Sequence, residues 1–379
     1  MKLERSCRIQ QFKYVQPKEL EGDRKALESI MMNRKIRALQ GLRGWAMLMI
    51  VLWHLNSLYP GTLPKLGDRG VEFFLLVSGF LIARKCEGPA SLDTFRSSAS
   101  YVVQKIKSSY WLFILPAVPV FILDVLAGPV KIEAPLWQLL SFCSLTQSWI
   151  PDARICWGVS RTGWFLPVLL YCYLITPLIR KAVRRFGARP ILLVCLVIQV
   201  ASELLAKHFL PEFYYEWLIY VFPAYRALDF TLGFCAWHIF RSPVREPSPR
   251  ALDVLYLALL AVLTALSLYR PVFLKYVLFH PFEIALLLIV ASEKSVVANV
   301  LNRNRAIVRL GDLSRIIFFT HVPVIRLIGM IWRRLFGPDL AFPQWIVSLL
   351  AVFLFALAVE KLISFFKSKR RYKTRSESS

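Results

Sequence analysis

The chain has 379 residues, 56% of them hydrophobic, and a formal charge of +24 from 48 Lys and Arg against 24 Asp and Glu. That apolar fraction is too high for a water-soluble domain and points to lipid as the solvent. The positive charge is scattered in short clusters between apolar runs rather than gathered into one patch, which excludes a nucleic-acid binder.

Taken in chain order, residues 1–40 are basic and lack the apolar core of a signal peptide, so they are expected to remain as a cytoplasmic segment with a short surface helix over 18–38. Apolar stretches of membrane-crossing length follow at 41–58, 70–86, 110–127, 163–180, 190–207, 217–240, 251–269, 276–292, 310–331 and 344–366. They predict an all-α polytopic membrane protein of about ten transmembrane helices over 41–366 and a basic tail over 367–379. Basic clusters recur on every second connection: Arg34, Lys35 and Arg37; Arg84 and Lys85; Arg180, Lys181, Arg184 and Arg185; Arg303, Arg305 and Arg309; Lys369, Arg370 and Arg371. This positive-inside pattern places both termini in the cytoplasm, with Arg333 and Arg334 running against it. The Pro-rich stretch 242–250 reads as a cytoplasmic connection. No Cys or His spacing suits a metal, and only Cys143 and Cys156, both on the outer side, are placed to form a disulfide. Trp164, Trp217 and Trp345 lie near helix ends and read first as interfacial anchors.

An ionisable side chain in hydrocarbon is expensive, so each one inside a span is a candidate functional residue. Arg43 and His54 are eleven residues apart on the first helix. Eleven steps of 100° return to within about 20° of one face, and the axial separation is roughly 16 Å. One face thus carries a guanidinium at the inner end and an imidazole at the outer end. Glu72 opens the returning helix at about the depth of His54, where a carboxylate would fix the imidazole's tautomer for base or nucleophile chemistry. Ser78 and Gly79 follow deeper, one a hydroxyl and the other a point of close helix approach. Taken singly, His54 is equally a hydrogen-bonding link between helices, Arg43 a flanking cation and Glu72 an interfacial residue; their coincidence in one hairpin favours function. Arg226 and Asp229, three apart, form either a structural ion pair or part of a site. His321, mid-helix, is equally a binding or a structural residue. His208, His238 and His280, near helix ends, receive no role. There is no HxxxxD box, GxSxG elbow, P-loop or dinucleotide fingerprint.

The runs RALQGLRGWAMLMIVLWHL and GVEFFLLVSGFLIARK resemble the first two helices of the type 3 family of bacterial membrane acyltransferases, many of which O-acylate cell-surface sugars. Arg43 and His54 match that family's arginine and histidine, Glu72 its acidic position, and Ser78, Gly79 and Phe80 its Ser-Gly-Phe. FPAYRALDFTLGF, with Arg226 and Asp229, and LGDLSRIIFFTHVPV, ending near His321, resemble later helices in the expected order. The chain departs from the family at Lys105 and Ser108, which stand before Tyr110 on the third helix where members often carry an arginine and a proline before a tyrosine, at Leu169 where many members carry glutamate, and at Arg315 and Phe318 where tyrosines are common.

The resemblance implies transfer of an acyl group, usually acetyl, from cytoplasmic acyl-CoA to a polysaccharide or lipid-linked sugar at or beyond the outer face of the bacterial inner membrane, without a permanently bound cofactor or metal. On this reading His54 and Glu72 are catalytic, with His54 acting as general base or acyl carrier. Arg43, Lys105 and Lys107 hold coenzyme A phosphates, while Ser78, Arg226, Asp229 and His321 line the substrate path. A transporter or flippase of an envelope glycan, its intramembrane charges lining a pathway, is the alternative from another class. A non-catalytic partner in envelope polysaccharide assembly is a third.

Overall fold

Each apolar stretch is helical in the computed structural model, which describes residues 36–56, 67–88, 91–127, 131–242, 247–269, 274–337 and 341–376. The expected surface helix over 18–38, with Arg34 and Lys35, lies outside the described residues except at its end, as do residues 243–246 of the Pro-rich connection. The first hairpin is α1 (Arg37–Leu55) and α2 (Gly67–Lys85), followed by the long α3 (Phe95–Ala127) and two short helices, α4 (Pro135–Cys143) and α5 (Ala153–Cys156). Next come α6 (Phe165–Leu174), α7 (Thr176–Phe186), α8 (Ala188–Phe209), α9 (Glu212–Glu216) and α10 (Pro223–Phe240). The chain ends with α11 (Pro249–Tyr269), α12 (His280–Ser292), α13 (Val296–Asn302), α14 (Arg305–Phe336) and α15 (Ala341–Ser376).

The breaks have local causes. Proline lacks an N–H and fits only the first turn of a helix. Pro177 therefore restarts the chain as α7 after a 52° bend from α6, and Pro223 opens α10 after a π turn over Trp217–Val221 and an extended Phe222. A bend of 91° separates α13 from the helical run ending at Ser292.

Five helices are long and apolar enough to cross a membrane, or up to seven spans if each bent pair counts as one, among the described residues. In α8, α11 and Phe342–Phe366 of α15, only 22%, 17% and 17% of the apolar window is buried, whereas α14 buries 67%. The first three therefore form the lipid-facing rim and α14 belongs to the interior. Contacts run α1 to α2, α2 to α10, α10 to α6, α6 to α3, α3 to α14 and α14 back to α1, which closes a ring of helices. Two of its seams depend on glycine. A Cβ on Gly79 would run into the Phe230 carbonyl of α10, and one on Gly233 into the Leu76 carbonyl of α2; Gly311 stands likewise against Gln40 of α1. Backbones this close require small residues.

Three expectations change. The tail expected over 367–379 continues α15 as helix through Ser376. Cys143 and Cys156 are free thiols, with Cys156 buried in α5, where its sulfur faces the Ala153 carbonyl. Trp164 is 2% exposed and packs on Tyr220 at 4.8 Å, so it belongs to the interior instead of anchoring at the lipid interface.

Candidate active site

The eleven-residue spacing on α1 has the expected consequence, since Arg43 and His54 both meet α14. Nη2 of Arg43 donates to the Ser314 hydroxyl at 3.0 Å, Nη1 donates to Gln40 at 3.3 Å, and the guanidinium lies 5.7 Å from the Phe74 ring centre. About three turns along α1, the half-buried His54 ring lies 5.0 Å from the ring of His321.

His321 is wholly buried, and its tautomer follows from its neighbours. A carbonyl only accepts, so Nδ1, 2.8 Å from the Ile317 carbonyl, carries the proton. Nε2 then presents a lone pair, and it has no hydrogen-bond partner among the described residues. Phe318, itself packed on Phe165 and Phe74, encloses the ring. Sequence reasoning gave His321 a binding or structural role without pairing it to His54, because only the α1–α14 crossing brings the two together.

Glu72 does not meet His54. One carboxylate oxygen accepts from Arg69 at 2.5 Å and the other faces Arg226 at 3.6 Å, all on the α10 side of α2. The expected orientation of the imidazole by this carboxylate is thus corrected. Gly70 is the α2 residue that abuts Ala46 and Ile50 of α1, and Glu72, about 200° further round, turns away from that helix.

Around Glu72 stands a fully buried ionic network. Arg226 pairs with Asp229 at 3.0 Å, as their spacing predicts. Asp229 also meets His280 Nε2 at 3.0 Å and accepts from Gln199 at 2.5 Å, while His280 Nδ1 faces Glu283 at 3.2 Å. The sequence reading passed over His280; the signal was the HPFE run, whose His and Glu share one face of a span. Glu72, His280 and Glu283 bring donor atoms within 4.8 Å of one another, the grouping a metal requires. Arg69 and Arg226 already pair with Glu72, and Asp229 with His280, so these groups are engaged by protein partners.

At the Arg43 end lies a cationic group. Lys85 and Lys105 approach the Tyr101 ring at 3.8 and 5.0 Å, and Arg315 reaches Ser109 at 3.5 Å. Arg43, Lys85, Lys105 and Arg315 are close enough to feel one another's charge. Arg315, one of the departures from the family pattern, thereby adds a cation. Tyr173 packs on Tyr101, and its hydroxyl stands beside Ser78, whose own hydroxyl donates to the Phe74 carbonyl at 2.7 Å. Lys107, roughly 200° round α3 from Lys105, is exposed and joins none of these contacts.

The His54 end opens into two cavities. One of about 1100 Å³ is lined by Trp53, His54, Lys131, Glu133, Trp157, Arg161 and Arg326 among others. The other, of about 260 Å³, shares Trp53, His54, Trp157 and Arg161 and adds Trp164, Tyr220, Lys275 and Phe318. The loop that supplies Trp157 and Arg161 is tied down on both sides: Arg326 donates to the Val159 carbonyl at 2.9 Å, and Gln147 donates to that of Gly163 at 3.0 Å. Its entry is fixed by Asp152, which accepts from the Arg154 backbone N–H at 2.8 Å and from its guanidinium at 2.7 Å. The Arg154 side chain, followed by its backbone N–H, holds the Asp152 carboxyl below the ordinary carboxylate range.

A ring of helices with a cation group at one end and an imidazole pair at the other is the architecture of a polytopic membrane protein. A family model described as "Acyltransferase domain", that of the type 3 acyltransferases, matches residues 36–361, and the chain belongs to this family. It is similar to "Acyltransferase MdmB" of Streptomyces mycarofaciens, 26% identical over 339 residues that cover 82% of this chain and 84% of that one. It is also similar to "Putative acetyltransferase ORF330" of Acidianus two-tailed virus, 24% identical over 300 residues that cover 76% and 83%. No solved structure matches the chain.

Proposed function

We propose that this acyltransferase is an O-acyltransferase of the bacterial inner membrane that moves an acyl group, acetyl in the simplest case, from cytoplasmic acyl-CoA to a hydroxyl of a cell-surface or exported polysaccharide. In this reading both termini face the cytoplasm, with Arg43, Lys85, Lys105 and Arg315 at the inner end and the two cavities at the outer end, as the positive-inside rule leads one to expect. The cation group binds the phosphates of coenzyme A by charge-assisted hydrogen bonds, and the pantetheine arm runs between α1, α2 and α14 past Ser78 toward His54.

The observation that carries this reading is the His54–His321 pair, in which His54 lines both cavities and the buried His321 stands beside it. The acceptor hydroxyl attacks the thioester carbonyl while His54 takes its proton. The C–S bond then breaks, and the leaving coenzyme A thiolate is protonated. By a second route His54 carries the acyl group itself between donor and acceptor. In both, the Nε2 lone pair of His321, unpartnered beside the His54 ring among the described residues, takes the orienting part expected of Glu72 as the rings close on substrate. Glu72, Arg226 and Asp229 hold α2 to α10 and thereby fix the wall of the path.

The test is incubation of the purified chain with acetyl-labelled CoA and candidate glycans. Label on the glycan, lost in His54→Ala with membrane insertion intact, is the expected result. Full transfer by the variant refutes the role of His54, and glycan movement without labelling supports the transporter.

A further inference from the structure

The larger cavity has an electrostatic character that acyl transfer alone does not require. Among the described residues its wall carries four cations, Lys131, Arg154, Arg161 and Arg326, and one carboxylate, Glu133. Two of the cations are already committed. Arg154 is bound to Asp152 and to Glu133 at 2.9 Å, and Arg326 is paired with Asp124 and with the Val159 carbonyl. Arg161 differs: it makes no ion pair or side-chain hydrogen bond among the described residues, its side chain is exposed, and it faces both cavities with His54. The loop on either side of it is anchored at Val159 and Gly163, so the backbone presents this guanidinium from a fixed position. Trp53 and Trp157 line the same two cavities and offer flat apolar faces of the kind that cover a sugar ring.

A guanidinium is a planar fork of donors that matches a carboxylate or phosphate with two parallel hydrogen bonds. A cavity that needed only to admit a neutral sugar hydroxyl would be served by neutral donors, and an excess of unpaired cations would not help it. We propose that the cavity beside His54 takes an acceptor sugar bearing a negative charge, as a carboxylate or a phosphate close to the hydroxyl, and that Arg161 is the residue that recognises that charge. The inference rests on the transferase reading for what happens to the bound sugar, while the binding itself is measurable without turnover.

The experiment titrates the full-length protein in nanodiscs with methyl glucuronoside, glucose 1-phosphate and methyl glucoside, by calorimetry at low and high salt. At least one anionic sugar is expected to bind about tenfold or more tighter than the neutral one, a difference of about 1.4 kcal/mol. That preference should shrink in high salt, fall to within about threefold in Arg161→Ala and be partly retained in Arg161→Lys, which keeps the charge without the fork. Which of the two anions gains identifies the source of the charge. Equal affinity for all three sugars, failure of both anions to bind, or an anion preference untouched by Arg161→Ala overturns the inference and leaves the transferase reading standing. An anion preference that depends on Arg161 but comes with no transfer from labelled acetyl-CoA upholds the binding site and overturns the transferase reading. If Arg161→Ala instead lowers kcat equally for charged and neutral acceptors with unchanged binding, the guanidinium serves the transition state and the assignment falls.

Discussion

At the scale of single residues, the chemistry proposed for the His54 end turns on a tautomer. With Nδ1 of His321 bound to the Ile317 carbonyl, its other nitrogen is left as a buried lone pair beside His54. His321→Ala is expected to lower kcat by about 10²–10⁴, the range spanned by general acid–base contributions, with little change in donor KM. Rates measured beside a thermal melt separate the two readings of this residue: a variant that melts early but turns over normally makes His321 structural. Arg43 gives the complementary result at the inner end. Arg43→Lys keeps the charge but loses the fork that meets Ser314 and Gln40, so KM for acetyl-CoA should rise about tenfold while kcat holds. An unchanged KM would remove Arg43 from donor binding. The shared face of Arg43 and His54 was legible in the sequence, because a position on a helix face follows from spacing alone. The partner of His54 was not, because the choice between Glu72 and His321 depends on how α2 is rotated against α1.

At the scale of elements, the ring of helices depends on two glycine seams, and the one between α2 and α10 also carries the ionic network. A methyl group on Gly233 would enter the Leu76 carbonyl, so Gly233→Ala must push the helices apart and strain Arg226, Asp229 and Glu72 together. Overpacking of this kind costs about 1–3 kcal/mol, and the melting midpoint in detergent should fall. Gly88→Ala is the control, since a Cβ there meets only the Lys85 carbonyl at an ordinary 3.5 Å. Equal midpoints for the two variants would show that the seam is not tight. The loop beside the larger cavity adds a pH dependence. A carboxyl whose folded pKa is depressed stabilises the fold above its unfolded value and loses that contribution as pH falls through the folded one. Asp152 should therefore keep its hold on Arg154 below the pH at which a free aspartate is protonated, and Asp152→Asn should abolish the acid-dependent part of loop opening, read by hydrogen exchange over 153–162. The Gly79 contact was foreseen as a close approach. The network was half foreseen, through Arg226 and Asp229, while Gln199, His280 and Glu283 come from helices whose crossing no local pattern announces.

For the whole molecule, the helical runs were legible in the sequence and the number of spans was not, since ten apolar stretches stand against five helices of crossing length, or up to seven with the bent pairs counted, among the described residues. Apolar run length located the long helices, but it does not distinguish α8, α11 and α15, whose apolar windows are mostly exposed, from α14, whose window is 67% buried. The polar residues within α14 are what separate it, since Arg315 and His321 are affordable only inside a ring. The same asymmetry makes topology testable. Residues assigned to the outside by charge, including Lys131, Trp157 and Lys275, assemble at the His54 end, and Lys85 and Lys105 gather at the Arg43 end. The structure is therefore divided in the sense that an odd number of spans between the two groups demands, whichever way the chain is inserted. The direction expected from the positive-inside rule is the one in which Lys181, Arg184 and Arg185 of α7 and the basic end of α15 face the cytoplasm. Reporter fusions after Arg185 and after Ser376 should both read cytoplasmic, and one at Ile132 should read external. Opposite sides for the first two would remove a span from the count, and an internal Ile132 would invert the path, placing the imidazoles where acyl-CoA is plentiful and the cations where it is absent.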